Sequence, residues 1–150
     1  MELNDFYCLI MAGGKGTRFW PESTELRPKQ YSTIFKDKTL LEETCDRLNE
    51  MIDKDHRFVV TVKSQATLCE KSTKGAVRSI FFEPEGRNTG PCILLSLAEL
   101  LKKGVGDDAV LAIVPSDHVI LNTKGFQDTL KKAYEISKSN QEIVIIGITP

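Results

Sequence analysis

The strongest constraint on this chain is the way its first apolar run ends. Phe6-Tyr7-Cys8-Leu9-Ile10-Met11 passes without a polar spacer into Ala12-Gly13-Gly14-Lys15-Gly16-Thr17-Arg18. A short run that is apolar at successive positions fits a strand buried on both faces, as in a parallel sheet. The glycines then read as a loop leaving the strand's carboxyl end. Residues without Cβ let a backbone come close to a ligand, and successive N–H groups in such a turn form a concave nest for anions. Lys15, Arg18 and Lys29 bring mobile or forked positive charge to that nest. The physical reading is a cradle for a diphosphate or triphosphate.

Two familiar glycine motifs do not fit. The dinucleotide pattern G-x-G-x-x-G, started at Gly14, requires glycine where Phe19 stands, and no Gly-Lys-Ser/Thr completes a P-loop. The alternative to chemistry is an ordinary strand–helix turn. Arg18 and the later Pro28-Lys29-Gln30 weigh against it.

Bulk properties narrow the class of function. The chain has 150 residues, 41% hydrophobic and 27% charged, enough for one domain with a proper core. A net charge of −1 gives no overall field for nucleic acid or an anionic membrane, so neither is expected as a partner. Cys8, Cys45, Cys69 and Cys92 form no C-x-x-C pair and sit in apolar or helical contexts, which predicts reduced thiols, buried or half-buried. His56 and His118 are too few for a Cys/His zinc site. Met1-Glu2-Leu3-Asn4-Asp5 is acidic, unlike a secretory signal, and no apolar run approaches membrane-spanning length. A cytoplasmic enzyme is the expectation.

Hydrophobic periodicity then lays out alternating strands and helices. Phe19 to Phe35 is irregular, with Trp20 either pinning the loop to the core or stacking on substrate. Thr39 opens a helix, with Glu42 as its capping-box partner and Leu40, Leu41, Thr44, Leu48, Met51 and Ile52 as its apolar stripe. Phe58 to Val62 is a second strand, and Ser64 to about Lys71 a short helix. Val77 to Phe82 is a third strand. Thr89 or Gly90 caps the next helix, with Pro91 in its first turn and Lys102-Lys103-Gly104 at its end. Ala109 to Val114 is a fourth strand, Thr123 to Ser139 a helix, and Glu142 to Ile148 a last strand apolar on both faces. The alternation predicts an α/β fold: a Rossmann-like, mostly parallel sheet with helices on both faces. The chain stops at Pro150, directly after a central-looking strand, so a truncated piece of a longer chain is expected.

In open parallel sheets ligands sit beyond the carboxyl ends of the strands. Gly13–Arg18, Glu83–Thr89 and Ser116–His118 all leave such ends. Asp117 is read there as a Mg2+ ligand, against the alternative of loop hydrogen bonding or helix capping. Glu83 is read as an acceptor for the N1–H and N2 donors of guanine, or else as a surface or helix-dipole carboxylate. Arg87 binds phosphate or braces its loop. His118 is structural rather than an acid or base.

Together, Gly13-Gly14-Lys15-Gly16-Thr17-Arg18-Phe19-Trp20-Pro21 and Arg27-Pro28-Lys29-Gln30-Tyr31 resemble the signature of sugar-nucleotide pyrophosphorylases. The Pro-Lys-Gln ending points to mannose-1-phosphate guanylyltransferases within that family. Glu83-Pro84-Glu85-Gly86-Arg87-Asn88-Thr89-Gly90-Pro91 resembles the family's E-P-x-x-R-N-T-A-P, with Gly90 where alanine is usual. Pro115-Ser116-Asp117-His118 resembles its P-A-D-H, with Ser116 for alanine. Pro21-Glu22-Ser23-Thr24 departs from the family's P-L-S-R.

The resemblance implies a fold of the nucleotide-diphospho-sugar transferase type. It makes residues 1–150 the N-terminal, nucleotide-binding portion of the nucleotidyltransferase domain, with the sugar-binding remainder beyond Pro150. It implies GTP and mannose 1-phosphate as substrates and Mg2+ as cofactor, with Arg18 and Lys29 catalytic. Ala12, Gly13, Gly14, Gly16, Thr17, Arg18, Glu83, Arg87, Asn88, Thr89 and Asp117 are then the nucleotide-binding residues. The piece alone is expected to be inactive. Another hexose-1-phosphate nucleotidyltransferase, or a nucleotide-binding module without turnover, are the alternatives. A homo-oligomer is left open.

Overall fold

The structure is a computed structural model and describes residues 4–14, 21, 23–24, 26–33 and 37–147. Its sheet has four strands, all parallel: β1 (Phe6–Met11), β2 (Arg57–Val62), β3 (Ser79–Glu83) and β4 (Val110–Pro115), in the order β3-β2-β1-β4. Among the described residues four α-helices alternate with them: α1 (Leu40–Arg47), α2 (Ala66–Thr73), α3 (Thr89–Lys102) and α4 (Thr123–Asn140). The chain steps outward from β1 to β2 to β3 and then returns to place β4 on the other side of β1. That reversal is a topological switch point, and it opens a crevice between the carboxyl ends of β1 and β4.

The alternation of side chains along β1 explains the layering. Phe6, Cys8 and Ile10 face one layer with Leu41, Cys45 and Leu48 of α1 and its end, Cys69 of α2, and Leu130 and Tyr134 of α4. Leu9 faces the other layer with Phe58, Val60, Phe81, and Cys92 and Leu100 of α3. Since β1 is covered on both sides, it reads as a continuous apolar run and not as an alternating one. Phe6 and Tyr134 meet at 4.8 Å between ring centroids, and Phe58 stacks on Phe81 at 5.4 Å.

Local signals place most helix ends. Thr39 Oγ1 accepts from the Glu42 N–H at 3.2 Å while the Thr39 N–H donates to Glu42 Oε2 at 2.6 Å, the capping box read from sequence. The other end of α1 is closed from a distance. Buried Arg57, at the start of β2, donates from Nε to the Ile52 carbonyl at 2.7 Å. Its two terminal nitrogens reach the Leu48 carbonyl at 3.2 Å, the Cys45 carbonyl at 3.3 Å and Asn49 Oδ1 at 2.8 Å. The Cys45 and Leu48 carbonyls already accept from the N–H groups of Leu48 and of Met51 and Ile52; the guanidinium, with five donors, adds to them and supplies the Ile52 carbonyl at the same time. Gly104, at φ +82, ends α3 as the Lys102-Lys103-Gly104 signal predicts.

Some expectations need correction. Residues 142–147 form no strand, and Ile143 and Ile145 are 95% and 87% exposed. Their apolar pattern suits a central strand, but a ladder needs a neighbour, and among the described residues β4 pairs only with β1. At α3 the cap is Asn88 and not Thr89 or Gly90. Asn88 takes φ 66 and ψ −175 and makes no side-chain cap bond. The third and fourth strands also run later than expected, so Glu83 is the last residue of β3, paired with Val62, and not the first of a loop.

All four cysteines are buried and free, as the sequence predicts. Burial pushes the Cys45 and Cys92 thiols up to about 12 and that of Cys69 up to about 11, and raises Cys8 as well. In the unfolded chain these thiols ionise near pH ~8.5. Above that pH the unfolded state therefore holds fewer protons than the folded state. The stabilisation is complete below about pH 8 and is lost as pH rises, with a slope of up to about 1.4 kcal/mol per pH unit for each thiol. Urea midpoints measured from about pH 7 to about pH 10 should stay level and then fall, and the Cys45→Ala/Cys69→Ala double variant should flatten the fall; an unchanged slope in that variant refutes the assignment. Arg57→Met should lower the unfolding free energy by about 1–3 kcal/mol, since it takes the Nε donor from the Ile52 carbonyl and the second donor from those of Cys45 and Leu48, and a loss below about 0.5 kcal/mol in urea titration would count against the closure of α1.

Candidate nucleotide-binding site

The chain leaving β1 is tied first to its neighbours. The Ala12 N–H donates to the Val60 carbonyl at 2.8 Å, which extends the β1–β2 ladder by one residue. Ser116, just past β4, donates to the Met11 carbonyl from its N–H at 3.1 Å and from Oγ at 2.8 Å. The Ser116-Asp117 turn is thereby fastened to the end of β1, on the β4 side of the crevice. On the other side stands Glu83. A Cβ built on Gly13 would lie 3.3 Å from Glu83 Oε2 and 3.6 Å from the Val62 nitrogen. A side chain at Gly13 would thus press on Glu83, whereas a Cβ on Gly14 would meet nothing within 4 Å.

Beneath the glycines lies a buried polar cluster. The turn Lys29–Tyr31 sends Gln30 and Tyr31 inward. Gln30 Nε2 donates to the carbonyls of Ala12 at 2.8 Å and Gly14 at 2.9 Å, and to Gln65 Oε1 at 3.0 Å. The Ala12 carbonyl also accepts from Thr61 Oγ1 at 3.0 Å and from the Tyr31 hydroxyl at 3.2 Å. Gln65 Nε2 reaches the Gly14 carbonyl at 3.3 Å. Desolvation pushes the Tyr31 hydroxyl well above its ordinary value, so it stays a proton donor.

The expected site residues fall into three groups. Ala12, Gly13, Gly14, Glu83 and Asp117 are gathered at the carboxyl ends of the strands. Lys29 flanks them, half-buried in the turn whose next residue grips Gly14. Glu83 is buried against Gly13 and near Cys92, whose thiol it helps to raise after desolvation, so the surface-carboxylate alternative falls. Arg87, Asn88 and Thr89 lie further along the chain and are exposed. Arg87 pairs with Glu85 at 3.2 Å, both side chains 74% exposed, an arrangement that contributes little to stability. Gly16, Thr17 and Arg18, with Lys15 and Trp20, lie outside the described residues.

Asp117 is half-buried, and its Oδ1 lies 3.8 Å from His118 Nε2. Among the described residues no group of three or more His, Cys, Asp or Glu side chains is placed to hold a metal ion. One carboxylate is nonetheless a fitting donor for Mg2+ carried on a nucleotide, because that ion takes one or two carboxylates with phosphate oxygens and water. The backbone carbonyl of His118 accepts from the buried Arg47 at 3.2 Å, which ties the turn to α1.

Sequence reasoning does not single out Thr61, Gln65 or Ser116 as site residues and gives no role to Gln30. Thr61 carries a faint signal, a polar residue that interrupts the apolar run of β2. Gln65 carries almost none.

A parallel sheet with a glycine segment at its switch point and polar turns on either side is the layout of an α/β nucleotide-binding protein. The chain belongs to the nucleotidyl transferase family, whose pattern matches residues 7–150. It is 37% identical over 150 residues to mannose-1-phosphate guanylyltransferase 2 of Escherichia coli O157:H7, covering 95% of this chain and 30% of that protein. It is 34% identical to alginate biosynthesis protein AlgA of Pseudomonas syringae pv. tomato, covering 93% of this chain and 29% of that one. Among solved structures, a Thermus thermophilus protein titled mannose-1-phosphate geranyltransferase superposes with a TM-score of 0.78 at 33% identity, over 89% of this chain and 38% of that one. The chain thus spans under a third of the length of these curated relatives. Among the described residues no helix is long and apolar enough to cross a membrane.

The two glycines should separate in a mutational test. Gly13→Val forces a side chain against Glu83 and the β2 backbone and should lower the unfolding free energy by about 1–3 kcal/mol. Gly14→Ala, with open space around its Cβ, should stay within about 0.5 kcal/mol. Equal urea midpoints for the two variants would refute the close approach at Gly13.

Proposed function

We propose that this chain is the nucleotide-binding part of an enzyme that transfers the guanylyl group of GTP to mannose 1-phosphate, giving GDP-mannose and pyrophosphate. The observation that carries it is the convergence at the switch point: the Gly13-Gly14 backbone lies between buried Glu83 and the Ser116-Asp117 turn. The substrate pair comes from the relatives' names, at 32–37% identity.

A phosphate oxygen of mannose 1-phosphate attacks the α-phosphorus of GTP, the bond to the bridging oxygen of the β-phosphate breaks, and pyrophosphate departs. No general base is needed, because a phosphate monoester with a second pKa of about 6 is already largely dianionic. The obstacle is electrostatic, so positioning and charge neutralisation carry the catalysis. Backbone N–H groups of Gly13, Gly14, Gly16 and Thr17 hold phosphates. Arg18 and Lys29 neutralise the transferring and leaving groups. Glu83 accepts from guanine N1–H and N2, and Arg87, Asn88 and Thr89 line the nucleotide. Asp117 would hold Mg2+, which when bound supplies further charge neutralisation. The sugar-contacting surface belongs to the remaining length of the relatives, so this chain alone binds nucleotide without making GDP-mannose. A cytoplasmic setting suits these phosphorylated substrates.

Titration calorimetry of the purified chain checks the assignment. Mg2+–GTP should bind at least about tenfold more tightly than Mg2+–ATP, a difference of about 1.4 kcal/mol. Lys29→Ala should weaken Mg2+–GTP by about tenfold or more, as expected for a lost charged hydrogen bond. Equal affinity for GTP and ATP removes the guanine assignment, and binding of neither removes the nucleotide site. Pyrophosphate release on adding mannose 1-phosphate would show that the site is complete without the rest of the relatives' length.

A further inference from the structure

The polar cluster under the glycines is costly to build and has no packing reason to exist. Gln65 is 5% exposed, Gln30 3%, Thr61 0% and Tyr31 7%, at a place where apolar side chains would fill the same space. Burying such groups is tolerated only when their hydrogen bonds are made. Here the partners are largely the carbonyls of Ala12 and Gly14, the residues on either side of Gly13.

A peptide unit is planar, with its C=O and N–H on opposite edges. Pulling the Ala12 carbonyl inward therefore turns the Gly13 N–H the other way, toward the crevice. Pinning the Gly14 carbonyl as well fixes both ends of a segment that glycine would otherwise leave loose. Gln65 completes this arrangement by accepting and donating at once. Its Oε1 accepts from Gln30 at 3.0 Å, while its Nε2 donates to Gly14 at 3.3 Å. It stands in the short turn Lys63–Gln65 after β2, whose own ladder with β1 is fixed, so the brace is anchored on the sheet.

We propose that Gln65 is a positioning residue for polyphosphate: acting through Gln30 and directly on the Gly14 carbonyl, it holds the Gly13-Gly14 backbone with the Gly13 N–H presented to the phosphates of a nucleoside triphosphate. The inference rests on the phosphate-cradle reading of residues 12–14. Gln65 therefore governs binding of the phosphate moiety and not of the base.

The test uses Gln65→Met, which keeps the volume and removes every bond. A second variant, Gln65→Glu, keeps the acceptor for Gln30 and removes the donor to Gly14. Nitrogen-15 relaxation reads the brace without any ligand. Order parameters at Gly13 and Gly14 should fall from about 0.85 toward about 0.6 or below in both variants, with thermal midpoints close to the parent. Calorimetry then reads the consequence. Affinity for inorganic pyrophosphate and for GTP should drop by about tenfold, the equivalent of one lost hydrogen bond, while affinity for guanosine is retained. Unchanged order parameters, or unchanged pyrophosphate affinity in Gln65→Glu, overturn the proposal. An equal loss for guanosine and pyrophosphate makes Gln65 a general structural residue and also overturns it. If the parent chain binds neither GTP nor pyrophosphate, the phosphate-cradle reading itself fails, a result distinct from intact binding with no effect of the variants.

Discussion

β1 is hydrogen-bonded along both edges, to β2 on one side and β4 on the other, and its side chains are covered on both faces. β2 is an inner strand as well, but only β1 lies between the strands on either side of the reversal. Its burial fixes the register of its neighbours, because sliding a strand by one residue exchanges its two faces. Once β2 and β4 are in register, their ends are too, and Met11 stands opposite Val60 and Pro115. The residues that follow these three strands then emerge near one level of the sheet. The site is assembled from segments far apart in sequence because a single strand sets the height at which each leaves.

The sheet is legible where burial writes itself into composition. Phe6–Met11 matches the observed strand end for end, and the capping box at Thr39 lies where its residue types predict. The last apolar segment misleads for a physical reason. Residues 142–147 have the composition of a central strand, but composition records a preference for burial and not the presence of a neighbour to pair with. The cap at Asn88 escapes a sequence reading because its backbone is in a conformation usually left to glycine, and residue type alone does not announce that.

In the site, residues whose chemistry faces a ligand are easier to find than residues whose chemistry faces the backbone. Gly13, Glu83 and Asp117 stand in strings of unusual composition at strand ends. Gln65 and Thr61 are single polar residues, and their role emerges only when carbonyls 51 and 49 positions away are seen beside them. Local sequence statistics hold no record of such a pairing. The same holds for Ser116, whose hydroxyl reaches across to the Met11 carbonyl.

Arg57 has a consequence for the order in which the chain acquires structure. α1 has eight residues, a length at which a helix in water is marginal because nucleation is costly and few bonds follow it. The carbonyls at its end take additional donors from a side chain that belongs to β2 and is held there by the sheet. A nascent chain that has emerged only as far as Ile52 therefore carries a first crossover without its clasp. The end of α1 is thus tied to the strand that follows it, so α1 is joined to β2 as well as to β1.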